Sequence, residues 1–218
     1  MPELLQIYQT LLAHHGPRAW WPAETPFEVV IGAILTQNTN WSNVEKALDN
    51  LRRAAVLTPE AILALAPAEL EELIRPSGFF RQKAQRLQLF CQHLHSRHGN
   101  DLASLLGQEL EPARDELLSL KGVGPETADS ILLYAGGRPT FVVDAYTGRL
   151  FGRLGLLSGE EAYGEVRALF MSGLPEDVAL YNEYHALIVT HCKEFCRKRP
   201  LCEPCPCAAI CRFRQQRS

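Results

Sequence analysis

Apolar residues recur along this chain at the three-to-four-residue spacing of helices, and no segment shows a convincing strand alternation. A short amphipathic helix is predicted from residue 2 to residue 13. Thr25-Pro26-Phe27-Glu28 reads as a capping box with proline in the first turn, and it opens the apolar run from Val29 to Leu35. A further helix is expected from residue 41 or 42 to residue 53. Thr58-Pro59-Glu60 caps the next, and Pro67 opens another. Residues 81–98 form a long amphipathic segment that turns Ala84, Leu87, Leu89, Phe90 and Leu94 towards a core. A short segment follows at 102–106. Ser158-Gly159-Glu160-Glu161 reads as a second capping box, and a final long helix is expected over 176–196. There is no internal repeat, so the fold class is all-α.

Between two of these helices lies the most informative stretch, Leu120-Lys121-Gly122-Val123-Gly124-Pro125-Glu126-Thr127-Ala128. A helix ends where the glycines arrive, and Pro125 suits the first turn of the next because its missing N–H has no intrahelical partner there. Gly122 and Gly124 are both free to take positive φ. Gly122, Val123 and Gly124 form the turn that would meet a nucleic-acid backbone: the N–H groups of the two glycines, with those opening the second helix, form a concave donor cluster suited to one phosphate. Such a hairpin holds a nucleic-acid backbone without reading bases. Lys121 adds a cation beside it. An ordinary helix-turn-helix with a glycine cap is the alternative.

The net charge of −3 over 218 residues argues mildly against a polyanionic partner, but it is unevenly spread. From residue 193 onward, seven Lys and Arg face two Glu, a surplus of five that leaves the rest of the chain at −8. A basic tail on an acidic body fits a protein with one face for a polyanion. No apolar run approaches the length of a membrane span, and the opening residues lack a basic-then-apolar leader, so a cytoplasmic monomer is expected, nucleoid-associated if bacterial.

Six of the seven cysteines lie between Cys192 and Cys211, with Cys91 apart. Such clustering points to a metal or iron–sulfur group in place of a disulfide framework. Cys196, Cys202, Cys205 and Cys211 offer four thiolates with gaps of five, two and five residues. Zinc ribbons use two close pairs and this segment has one, although Cys192 or Cys207 could substitute in the set. Arg197, Lys198 and Arg199 fill the first gap, where a pinned loop would present three cations to phosphates.

The hairpin string followed by Val142-Val143-Asp144 resembles the helix-hairpin-helix DNA glycosylases of the endonuclease III superfamily. The resemblance implies a two-lobed all-α fold, with residues 25–136 as a six-helix lobe holding the hairpin. Residues 1–24 plus 137–218 would form the second lobe, with a DNA cleft between the lobes and a C-terminal [4Fe–4S] loop at 196–211. The family commonly has one more residue in the first cysteine gap. Asp144, which could also serve simply as a helix N-cap, matches the catalytic aspartate that stabilises a cationic sugar and helps activate water. Bifunctional members keep a Schiff-base lysine where this chain has Glu126, which cannot form an imine. Gln37 matches the residue that fills the gap left by a flipped nucleotide.

Trp41, with Thr36-Gln37-Asn38-Thr39 before it, and Arg75-Pro76-Ser77-Gly78-Phe79-Phe80-Arg81-Gln82-Lys83-Ala84, followed by Arg86-Leu87, are similar to the 3-methyladenine DNA glycosylase III branch. That similarity implies an aromatic base pocket from Trp20, Trp21 and Trp41, suited to a cationic alkylated purine; ordinary packing is the other reading of these residues. Members of that branch need not carry the iron–sulfur motif, so the chain reads as a hybrid. The resemblances imply a monofunctional glycosylase acting on double-stranded DNA with a damaged base, alkylated purines ahead of oxidised pyrimidines. The alternatives are a glycosylase/AP lyase working through Lys121, a lesion-binding protein without turnover, and a zinc-binding structural protein.

Overall fold

The computed structural model of the chain describes residues 2–18, 20 and 23–216, and every regular element among them is helical. The helices in chain order are α1 (Pro2–His15), α2 (Pro26–Leu35), α3 (Trp41–Arg53), α4 (Pro59–Ala64), α5 (Pro67–Leu73), α6 (Phe80–His98) and α7 (Leu102–Leu106). They continue with α8 (Leu110–Leu118), α9 (Pro125–Ser130, running on as a π turn over Ile131–Ala135), α10 (Ala145–Leu154), α11 (Tyr163–Gly173), α12 (Val178–Glu194) and α13 (Arg212–Gln215). The chain divides into two compact units, Ala23–Arg138 and Met1–Pro22 with Pro139–Ser218.

In the first unit α2 is buried on every side, from Phe27 to Leu35, which is what an uninterrupted apolar run requires. It starts as its capping residues predict, with Thr25 Oγ1 accepting from Glu28 N–H at 3.2 Å. α3, α6 and α9 close around it, and Cys91 is buried in the same core, where burial pushes its thiol up to about 12. Thr58 caps α4 likewise, accepting from Ala61 N–H at 3.2 Å.

The second unit is built on aromatic rings. Phe141 and Phe170 stack at 4.1 Å between centroids, and Phe151 meets Phe170 edge-on at 4.7 Å. Tyr184 of α12 donates to Leu4 O of α1 at 2.8 Å, so α1 packs with the C-terminal helices.

Three local expectations change. Ser158 and Glu161 do bond, at 2.9 Å, but the carboxylate closes a turn that also takes the N–H groups of Ser158 and Gly159. α11 starts later, at Tyr163, with Glu165 accepting from Ala162 N–H at 2.7 Å. The last long helix starts at Val178, because Asp177 takes the N–H groups of Ala179 and Leu180 and so fixes the cap. Gly122 has φ +90°, but Gly124 is extended at φ −93°, ψ 175°. The cause is Pro125, which drives the residue before it into the extended region.

Candidate active site and nucleic-acid interface

The hairpin turn joins α8 to α9 in the first unit. Val123 N–H is taken by Leu120 O at 3.0 Å and Val123 is buried, so it anchors the turn between the two glycines. The N–H groups of Gly122 and Gly124 have no acceptor among the described residues. Lys121, Gly124, Pro125 and Glu126 are exposed. The two helices are locked by a bidentate ion pair, Arg114 to the buried Asp129 at 3.0 and 3.2 Å.

Gln37 lies against this turn. Its amide donates to Gly122 O and Thr127 Oγ1, both at 2.9 Å, and its carbonyl accepts from Arg86. Insertion of Gln37 into a duplex therefore requires exchange of these bonds. A Cβ on Gly122 would stand 2.5 Å from Arg86 Nε, a close approach that suits glycine as much as the positive φ does. Lys83, fully buried, donates to Leu35 O at 2.8 Å and Ser77 O at 2.7 Å. Burial first, then the nearby Arg86 charge, pushes its amine down to about 8. Lys83, Arg86 and Gln37 thus tie together the end of α2, the Ser77–Phe79 turn and the hairpin. In that turn Phe79 stands 64% exposed with φ +47°, an uncommon pairing for a bulky residue. Trp41, at the start of α3, is half-buried against the core and donates from Nε1 to Glu45 at 2.9 Å.

Asp144 belongs to the second unit, where it does two things at once. Oδ1 caps α10, accepting from Thr147 N–H at 2.8 Å and from the Thr147 hydroxyl at 3.0 Å. Oδ2 faces His185 Nε2 of α12 at 3.4 Å. Burial pushes the carboxyl up, but His185 and Thr147 outweigh it and hold the group below the usual aspartate range. His185 was not singled out in the sequence: it lies on another helix, and a lone histidine among apolar residues reads as core. Trp20 lies in this unit with Lys193 Nζ 5.8 Å from its ring centroid, and Trp21 lies outside the described residues.

The far end of α10 holds the cysteine loop. Arg149 Nε donates to Cys196 O at 2.8 Å. Arg153 reaches Cys196 Sγ at 3.2 Å, Arg197 O at 2.7 Å and Lys198 O at 3.2 Å, while its own carbonyl faces Cys211 Sγ at 3.5 Å. Cys205 Sγ lies 3.5 Å from His191 Nε2. A hydrogen bond from Cys192, with Arg153 beside it, lowers the Cys196 thiol; one from Cys207, with His191, lowers that of Cys205. Cys192 and Cys207 shift up, as buried donors to those sulfurs. Cys202 and Cys211 are half-buried, and Arg197, Lys198 and Arg199 are all exposed.

A hairpin with free glycine N–H groups, a capped carboxylate and a C-terminal run of cysteines define the helical base-excision class of DNA repair proteins. The chain belongs to the HhH-GPD superfamily of base excision DNA repair proteins, whose pattern matches residues 31–176. It is 49% identical over 209 residues to a provisionally assigned DNA repair glycosylase of Methanocaldococcus jannaschii, covering 95% of each. With Endonuclease III of Thermotoga maritima it shares 32% identity, over 88% of this chain and 85% of that one. Among solved structures, a non-covalent Endonuclease III–DNA complex superposes with a TM-score of 0.85 at 25% identity, covering 99% of this chain and 97% of that chain. The H. pylori 3-methyladenine DNA glycosylase bound to 1,N6-ethenoadenine gives 0.76 at 31% identity, covering 88% and 96%. The chain is therefore a base-excision DNA glycosylase of the endonuclease III superfamily, with the all-α fold of that group. None of the described helices is long and apolar enough to cross a membrane.

Proposed function

We propose that this glycosylase is monofunctional and removes alkylated purines such as 3-methyladenine from double-stranded DNA, with oxidised pyrimidines as a second class. The observation that carries the reading is Glu126. It is exposed at the start of α9, where a lyase of this kind would present an amine to C1′ of the sugar. A carboxylate there cannot form the Schiff base on which strand cleavage depends. Release of the base would rest on Asp144, whose ionised Oδ2 stabilises the oxocarbenium-like sugar while Oδ1 keeps the carboxylate aimed by capping α10.

Trp20, Trp21 and Trp41 are proposed to supply aromatic faces to the extruded base. A cationic alkylated purine gains from their electron-rich rings and leaves without needing protonation. The likeness to the H. pylori 3-methyladenine enzyme supports this substrate class. Gly122, Gly124 and Lys121 would hold phosphate, with Gln37 at the gap once it exchanges its hairpin bonds.

Cys196, Cys202, Cys205 and Cys211 would hold a [4Fe–4S] cluster, which when bound cross-links the loop and leaves the base-release chemistry to Asp144. The thiols of Cys196 and Cys205 are both lowered, the Arg153 guanidinium lies against Cys196 Sγ, and His191 Nε2 lies against Cys205 Sγ, so the donor set fits. Arg197, Lys198 and Arg199 are then presented to the backbone of the duplex.

The test is base release from duplexes carrying alkylated or oxidised lesions, scored with and without hot alkali. Alkylated purines should be released, strands should break only after alkali, and borohydride should trap no adduct. Asp144→Asn should lower turnover by at least ~100-fold while lesion binding survives. Strand nicking without alkali, abolished in Lys121→Ala, would instead establish a glycosylase/lyase.

A further inference from the structure

We propose a divalent transition-metal site of the zinc class at the junction of α6, α7 and α8, with His93 Nε2, His98 Nε2 and Glu116 Oε1 as ligands. Both imidazole nitrogens converge on the same carboxylate oxygen, each at 2.7 Å. The three donor atoms all lie within 4.8 Å of one another. The side chains are 19%, 10% and 16% exposed, enough for an ion to enter and too little for solvent to dominate. Two imidazoles and a carboxylate match zinc and its first-row neighbours, and three protein donors leave a position for water.

The surroundings hold these donors as an outer shell would. Gln108 Nε2 binds the second carboxylate oxygen, Glu116 Oε2, at 2.7 Å, which turns Oε1 towards the histidines. Ser104 Oγ lies 3.0 Å from His98 Nδ1. Donation of Nδ1–H to Ser104 selects the tautomer that leaves His98 Nε2 able to bind a metal, and a cation there would replace the short Nε2···Oε1 hydrogen bond. Ligand atoms of a tetrahedral zinc at about 2.0–2.1 Å stand roughly 3.3 Å apart, so each 2.7 Å N···O spacing would open by about 0.6 Å, and the two imidazole nitrogens already lie within 4.8 Å of each other. The cysteine loop belongs to the other unit. A metal here would fasten the end of α6 to α8, the first helix of the hairpin, as a structural clamp.

The experiment uses cluster-loaded protein, stripped of loose metal by mild chelation and dialysed against excess Zn2+. Zinc and iron per chain are measured together, and zinc is located by anomalous diffraction at its absorption edge. Wild type should take up one zinc with iron unchanged, with the anomalous peak between His93, His98 and Glu116. Uptake should be lost in the His93→Ala/His98→Ala double variant, and Ser104→Ala should bind about 10-fold more weakly. Zinc should raise the melting temperature of wild type and not of the double variant. The proposal is overturned if wild type takes up no zinc, if the double variant binds equally, or if zinc appears only with loss of iron. Should the double variant not fold, the anomalous map of wild type alone decides.

Discussion

At the scale of single residues, the catalytic proposal and the helix-cap reading of Asp144 turn out to be compatible. One oxygen caps α10 and the other faces His185. This makes His185 a positioning residue whose loss has a signature beyond reduced rate. Without it the Asp144 carboxyl loses the largest influence holding it down and moves up. His185→Ala should therefore shift the acid limb of the kcat profile to higher pH, while His185→Gln, which keeps a donor without the charge, should shift it less. Identical acid limbs in wild type and both variants would remove His185 from the proposed site. Lys83 supports a second pH experiment. Its folded-state value of about 8 lies below the ordinary 10.5, so between those values the unfolded chain holds more protons than the folded one. Stability relative to Lys83→Met should therefore rise with pH across that window, the opposite of a lysine held by a salt bridge. Urea unfolding midpoints measured from about pH 7 to about 10.5 will show the slope. Lys83→Met should also destabilise by about 1–3 kcal/mol near neutrality, through the unpaired carbonyls of Leu35 and Ser77.

At the scale of elements, what the sequence made legible was local. Thr25 and Thr58 cap their helices because a side-chain hydroxyl, a following proline and an apolar run act within four residues. The turn at Ser158 shows where that logic stops: the same hydrogen bonds close a turn when Gly159, at φ +93°, leads the chain elsewhere before α11. Gly124 failed the positive-φ expectation for an equally local reason, the proline after it. Partners brought together by packing left no such trace. Lys83 and Arg86 fall in the string similar to the 3-methyladenine glycosylase branch, but their spacing alone gave no sign that they knit the loops around Gln37. Arg149 and Arg153 are one turn apart on α10 and look like a solvated basic face, yet both grip the cysteine loop. Arg153→Met removes the fork that joins Cys196 Sγ to the carbonyls of Arg197 and Lys198. It should lower iron per chain and visible absorbance after purification. Arg153→Lys should recover only part, since an ammonium lacks the planar fork. Full iron content in Arg153→Met would show that the loop does not depend on this anchor.

At the scale of the whole molecule, the question is how a chain of net charge −3 holds a polyanion. The surplus of five positive charges after residue 193 answers it if those charges are presented together, and Arg197, Lys198 and Arg199 are all exposed on the loop that Arg153 pins. The hairpin adds N–H donors with no change in net charge, so the two features predict different dependences on salt. Cations of the basic loop release counterions when they meet phosphate and steepen the fall of affinity with ionic strength; neutral hairpin donors position the backbone with little effect on that slope. Replacing Arg197, Lys198 and Arg199 together by Gln should weaken binding to damaged and undamaged duplexes alike. It should also flatten the plot of log affinity against log salt by roughly one unit for each phosphate no longer neutralised. Gly122→Ala, which brings a Cβ against Arg86 and strains a φ of +90°, should weaken binding with the slope nearly unchanged. Fluorescence anisotropy on lesion-bearing and intact duplexes over a series of salt concentrations separates the two variants. A triple variant that kept the wild-type slope would show that the basic loop does not touch phosphate, and the electrostatic case for DNA binding would then rest on Lys121 and the remaining cations of the tail.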